Sequence, residues 1–166
     1  GLPWYFTVAN VLRVYGKTAV AETVERAPRT RPGNMAVVTE QGALDIEAQI
    51  NVIRVVNPNE QGNLVHTNHC LHPDLEDTNK SYFDDLYGQT YERKARAEAL
   101  ANQETNLLSV EVLKQVLADH EGAPTSICRH PNSHPTTGWQ RTAASVVLEP
   151  SQGRMHLSTG NPCETP

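Results

Sequence analysis

Met35-Ala36-Val37-Val38-Thr39-Glu40-Gln41-Gly42-Ala43-Leu44-Asp45-Ile46-Glu47-Ala48 is the stretch on which the fold turns. Met35 to Val38 is a compact apolar run, and Gln41-Gly42 has the chemistry of a turn. Residues 43–48 then alternate, with Leu44 and Ile46 on one face and Asp45 and Glu47 on the other. Val52-Ile53-Arg54-Val55-Val56 reads as a further strand. Asn57-Pro58-Asn59 turns, and Leu64-Val65-His66 reads as a fourth strand. Connections this short require antiparallel neighbours.

Outward from this meander the period becomes helical. On the N-terminal side, Leu2, Phe6, Ala9, Val11 and Leu12 follow helical spacing, with Pro3 suited to a first turn. A second helix is expected over Thr18 to Arg26, stopped by Pro28. The basic piece from Arg26 to Gly33 reads as an exposed connector. On the C-terminal side, Tyr91 to Asn102 is dense in good helix formers. Ser109 opens another helix, whose apolar face is Val112, Leu113, Val116 and Leu117 and which ends at Asp119-His120-Glu121-Gly122. Ser126 to His130, Ala144 to Leu148 and Met155 to Leu157 read as strands. The expectation is an α+β fold, with antiparallel strands packed on helices, in a single domain over residues 1–166.

Composition narrows the function classes. The chain has 166 residues, a net charge of -5 and a pI of about 5.8. No basic stripe marks a nucleic-acid partner. No apolar run approaches the length of about 20 residues that a membrane helix needs, so no membrane partner is expected. Cys70, Cys128 and Cys163 are an odd, widely spaced set. They do not read as a disulfide framework, and a reducing, cytoplasmic compartment is expected. Asn79-Lys80-Ser81 fits a glycosylation sequon. Gly1-Leu2-Pro3 is not an initiator sequence, so the chain is expected to be processed, excised or incomplete at that end.

Three groups of residues carry chemistry. His66-Thr67-Asn68-His69 places polar side chains where a short strand ends. The neutral amide of Asn68 can donate two hydrogen bonds, which suits an oxyanion hole. Arg129 lies just past a second apolar segment. A neutral donor and a cationic fork at one sheet edge would form a pocket, whereas the plain alternative is a turn cap and a structural ion pair. Cys70 and Cys128 have histidines nearby, but no third group identifies either as a nucleophile. His66, His69 and His72 recur every third residue, and His130 and His134 flank Cys128. Side chains three apart on a strand diverge, and no CxxC or HExxH pattern is present. A zinc protein is therefore the weakest reading, and no metal or cofactor is expected.

At these residues the chain resembles a known family. Leu64-Val65-His66-Thr67-Asn68-His69 is similar to the HTNH segment, and Ser126-Ile127-Cys128-Arg129-His130 to the SICRH segment, of the acyl-coenzyme A:isopenicillin N acyltransferases, the C45 peptidases. Gly1-Leu2-Pro3, Glu25 to Arg29 before Asn34, Gly42 with Ile46-Glu47, Thr142 to Val147 and Gly160-Asn161-Pro162-Cys163 are similar too. Order and spacing hold along almost the whole chain.

The resemblance implies an Ntn-hydrolase-like αββα sandwich of antiparallel sheets, incomplete at the N-terminal end. It also implies cleavage or transfer at an amide bond. In that family a precursor cuts itself and exposes an N-terminal cysteine, whose thiol takes the acyl group as a thioester. By position Asn68 matches the oxyanion-hole asparagine, and Arg129 an arginine near the nucleophile and the acyl group. His66, Thr67 and His69 would be supports. The implied partners are a small acyl-amide or acyl-CoA-type substrate and an N-terminal segment of the same precursor. No residue of this chain aligns with the nucleophile, so the chain alone is expected to be catalytically silent. Hydrolysis and acyl transfer both fit. The alternative is a non-catalytic binding or structural relative of the same fold.

Overall fold

The computed structural model describes residues 1–79, 89–103, 108–136 and 138–165. Among them are α1 (Trp4–Val11), α2 (Lys17–Arg26), β1 (Gly33–Thr39), β2 (Gly42–Ala48), β3 (Ile53–Val56), α3 (Glu76–Asn79), α4 (Thr90–Ala101), α5 (Val110–Leu117), β4 (Ala144–Glu149) and β5 (Arg154–Thr159). This is a mixture of helix and antiparallel sheet, compatible with the α+β expectation. The chain divides into two compact units, Gly1–Leu64 with Cys70–Ser81, and Val65–His69 with Tyr82–Pro166. No helix among the described residues is long and apolar enough to cross a membrane.

In the first unit, β2 is the central strand of an antiparallel sheet with order β1-β2-β3. Thr39 pairs with Gly42, so β1 and β2 meet across a tight turn. Gly42 takes a φ of 97°, a conformation that favours glycine. The turn has a second use. Gln41 Oε1 accepts a hydrogen bond from Lys17 N at 3.0 Å, giving α2 the cap that Gly16 cannot supply. Val20 and Val24, one helical turn apart on α2, bury with Val11, Leu44, Ile46 and Ala48. Trp4, Met35, Val37, Ile53 and Val55 pack around them.

Both faces of β2 are buried: Asp45 and Glu47, opposite Leu44 and Ile46, are 0% and 2% exposed. Asn34 Nδ2 donates to Asp45 Oδ1 at 2.6 Å. The Glu47 carboxylate accepts from the backbone N–H groups of Leu71 and His72. A buried carboxylate needs such donors. The Arg26–Gly33 connector is not wholly exposed either. Arg29 folds inward and donates to Val24 O at 2.5 Å and Gln49 O at 2.6 Å. It also donates to Glu25 O and Ala27 O at 3.2 Å, and so gathers carbonyl groups at the end of α2.

In the second unit α5 packs against α4 and β4. Ser109 caps it, its Oγ accepting from Val112 N at 3.2 Å. Arg96 of α4 grips Asp119 at 3.0 and 2.7 Å and Glu121 at 2.9 Å. β4 and β5 form a two-stranded antiparallel sheet in the register Val146↔Leu157 and Leu148↔Met155. Those four apolar side chains are all exposed.

Leu64-Val65-His66 and Ser126 to His130 were expected as strands, and neither is one. Side chains take the place of a ladder. The Asn68 N–H donates to Thr90 Oγ1 at 2.7 Å, and the Arg129 N–H donates to Thr142 Oγ1 at 2.9 Å. Asn79 of the sequon is buried, and its amide donates to Cys70 O and accepts from Cys70 N. Lys80 and Ser81 lie outside the described residues.

Candidate functional site

All the residues of the candidate site belong to the second unit, and the first turn of α4 gathers them. Thr90, its first residue, is 2% exposed. Besides receiving the Asn68 N–H, its Oγ1 lies 3.0 Å from His69 Nδ1. Thr67 Oγ1 donates to Thr90 O at 3.0 Å and lies 3.2 Å from His69 Nδ1. His69 is buried and its ring stands 3.9 Å from that of Tyr91. Thr67 and His69 thus hold the segment on the helix. His66 is half-buried in the same segment.

One turn further along α4, Arg93 Nη2 donates to Asn68 Oδ1 at 2.5 Å. A guanidinium has donors only, so the atom facing it must be the oxygen. The Nδ2 of Asn68, an exposed residue, is turned the other way as a donor. Gln89, just before the helix, accepts from Arg129 Nη2 at 2.9 Å. Gln140 Oε1 accepts from Nη1, and Asn161 Nδ2 donates to Arg129 O at 2.6 Å.

The electrostatics of this group are one-sided. Burial lowers the pKa of Arg93, and the nearby charge of Arg129 lowers it further. Burial lowers that of Arg129. Guanidinium groups nonetheless stay charged at neutral pH. The acceptors holding Arg129 are neutral amides and a carbonyl, and no carboxylate among the described residues pairs with either arginine. Arg93 Nε is buried with no hydrogen-bond partner among them. The site thus holds a fixed neutral donor beside two cations, at the positive end of a helix dipole. That combination can stabilise an oxyanion and seat an anionic group.

Cys128 lacks the exposure, and Cys70 the lowered pKa, of a nucleophile. Cys128 is 0% exposed. Burial pushes the Cys70 thiol up, and the charges of Glu47 and Asp45 add to this, which opposes thiolate formation. Two of the histidine triplet have other roles: His69 packs as described, and His72 Nδ1 accepts from Asp74 N at 3.2 Å. Within the second unit, His120, Cys128, His130 and Cys163 form a group able to hold a metal.

Compared with protein families, residues 20–164 match the model of the acyl-coenzyme A:6-aminopenicillanic acid acyl-transferases. The chain belongs to this family. Compared with individually curated proteins, it matches none. Membership in the acyl-transferase family points to acyltransferase or hydrolase activity on an acyl substrate. Sequence reasoning about the family segments named Asn68 and Arg129 but not the residues that hydrogen-bond to them, Gln89, Thr90 and Arg93. The one available signal was the helix start, since residues three apart in a first turn share a face.

Proposed function

We propose that this chain supplies the oxyanion donor and the anion seat of an enzyme that transfers or hydrolyses an acyl group at an amide bond. The acyl group passes through a thioester on a cysteine outside these residues. The thiolate attacks the acyl carbonyl, and the carbonyl oxygen becomes an oxyanion. Asn68 Nδ2 donates to it. The intermediate collapses with loss of the amine of an amide donor, or of the coenzyme A thiolate of an acyl-CoA donor, and the leaving group takes up a proton. The α-amine of an N-terminal cysteine can carry that proton, since its pKa is about 7.7–8.0. Water or a second amine then takes the acyl group from the thioester. Arg129, with Arg93, binds an anionic part of the substrate, such as a carboxylate or the phosphates of an acyl-CoA-type donor.

The observation that carries this reading is the Arg93–Asn68 hydrogen bond. It turns an otherwise ambiguous amide into a directed donor. The reading takes residues 1–166 as one C-terminal portion of an Ntn-hydrolase-like sandwich. The exposed apolar pairs Val146–Leu157 and Leu148–Met155 support it, because a sheet in a sandwich presents such a face for packing.

The test is intermediate trapping. Full-length protein is mixed with an acyl-CoA or acyl-amide donor, quenched in acid and mapped by mass spectrometry. The expected result is an acyl adduct on a cysteine outside residues 1–166. An adduct on Cys70, Cys128 or Cys163, or turnover with no adduct on any cysteine, contradicts the thioester route.

A further inference from the structure

Behind Arg129 lies a second cluster that the acyl-transfer reading does not use. His120 follows the end of α5, Cys128 and His130 flank Arg129, and Cys163 sits in the turn after β5. One ligand atom from each lies within 4.8 Å of all the others. The separations are 3.7 Å for Cys128 Sγ–Cys163 Sγ, 3.0 Å for His120 Nε2–His130 Nε2, 3.3 Å for Cys163 Sγ–His130 Nε2 and 3.9 Å for Cys128 Sγ–His130 Nε2.

These are four of the six edges that a tetrahedral site has, and the two from His120 to the sulfurs are within 4.8 Å. Zinc binds thiolate at about 2.3 Å and imidazole at about 2.0–2.1 Å. At tetrahedral angles, two such sulfurs stand about 3.8 Å apart, two nitrogens about 3.4 Å, and a mixed pair about 3.5 Å. The four separations scatter around those values. We propose that His120, Cys128, His130 and Cys163 form a structural zinc site.

The surroundings fit a zinc centre. Asn161 Nδ2 donates to Cys128 Sγ at 3.4 Å, as an outer partner of a thiolate would. Glu164 Oε1 lies 3.7 Å from Nδ1 of His130, the ring nitrogen not aimed at the cluster. A carboxylate on that side favours the proton at Nδ1 and leaves the Nε2 lone pair for the metal. Two thiolates and two neutral imidazoles cancel the charge of a divalent ion, which lowers the cost of burial beside Cys128. Four protein ligands leave no open position, so the site is structural rather than catalytic.

The function of such an ion follows from where the ligands sit. Cys128 and His130 bracket Arg129, while Cys163 comes from the far end of the β4–β5 hairpin. Zinc would clamp these segments together and fix the backbone from which Arg129 extends. No ladder does so, because residues 126–130 are not a strand.

The test needs no turnover, so its result is independent of the acyl-transfer reading. Full-length protein is purified with reductant and without chelator. Its metal is measured by plasma mass spectrometry and X-ray absorption. The expected result is zinc in a one-to-one ratio with the chain, held by two sulfurs at about 2.3 Å and two nitrogens at about 2.0–2.1 Å. Added cobalt should give the intense visible bands of a tetrahedral thiolate site. Cys163→Ser and His120→Ala should lose the metal to a chelator, whereas Cys70→Ser and His134→Ala should keep it. Substoichiometric zinc in the unsubstituted protein, coordination by oxygen, or a Cys128–Cys163 disulfide in protein mapped without reduction would overturn the proposal.

Discussion

Arg93 Nη2 sits 2.5 Å from Asn68 Oδ1, so the Asn68 amide is oriented by a charge rather than by chance. If that orientation matters, the two residues act as one unit. Arg93→Met in the full-length enzyme should lower kcat, by less than the roughly 10²–10³-fold expected on removing the donor itself. Added to Asn68→Ala, it should lower kcat little further. A double-mutant cycle on kcat checks this, and strictly multiplicative losses would show that Arg93 does not act through Asn68.

Arg129 is held by neutral acceptors, and no carboxylate among the described residues pairs with it. Arg129→Gln should therefore raise KM for an anionic substrate while leaving a neutral analogue of the same acyl group nearly unaffected. Steady-state kinetics on the matched pair tests the seat. Equal effects on both substrates would assign Arg129 a purely structural role.

Thr90 is the buried acceptor under the Asn68 segment. Thr90→Val keeps the shape and removes the hydroxyl, leaving the Asn68 N–H without its partner. Such a loss costs about 1–3 kcal/mol. Denaturant unfolding should show it as a shift in midpoint at constant slope.

Glu149 provides a pH test of the β4–β5 hairpin. Its pKa is lowered chiefly by the hydrogen bond with His156, at 2.8 Å, with the charges of Arg154 and His156 adding to this. A lowered carboxyl pKa contributes stability above the ordinary glutamate range and loses it as pH falls through the folded value. Glu149→Gln should therefore lower the melting temperature near neutrality. The gap to the unsubstituted protein should close towards about pH 3, below the ordinary glutamate pKa. Melting curves across that range check the sign.

The sequence shows its local patterns and hides its long-range covers. Helices α2, α4 and α5 were legible from composition and spacing, and the β1–β2 hairpin from its alternation and Gly42. The burial of Asp45 and Glu47 was not legible, because the donors on Glu47 come from Leu71 and His72, far along the chain. Arg29 looked like a loop cation because nothing local announces that it caps a helix.

The candidate site divides in the same way. Asn68 was visible as a polar cluster after an apolar pair. Its partners Thr90 and Arg93 were not, because a helix composed of good formers gives no local reason to single them out. Among the histidines, His130 was visible beside Cys128, but His120 and Cys163 were not, because they meet it only through the fold.

The central claim is that Asn68 stabilises the oxyanion of acyl transfer, and the most direct measurement is the turnover of full-length enzyme carrying Asn68→Ala. The account predicts that kcat falls by about 10²–10³ while KM changes little. A kcat within a few-fold of the unsubstituted enzyme would contradict it.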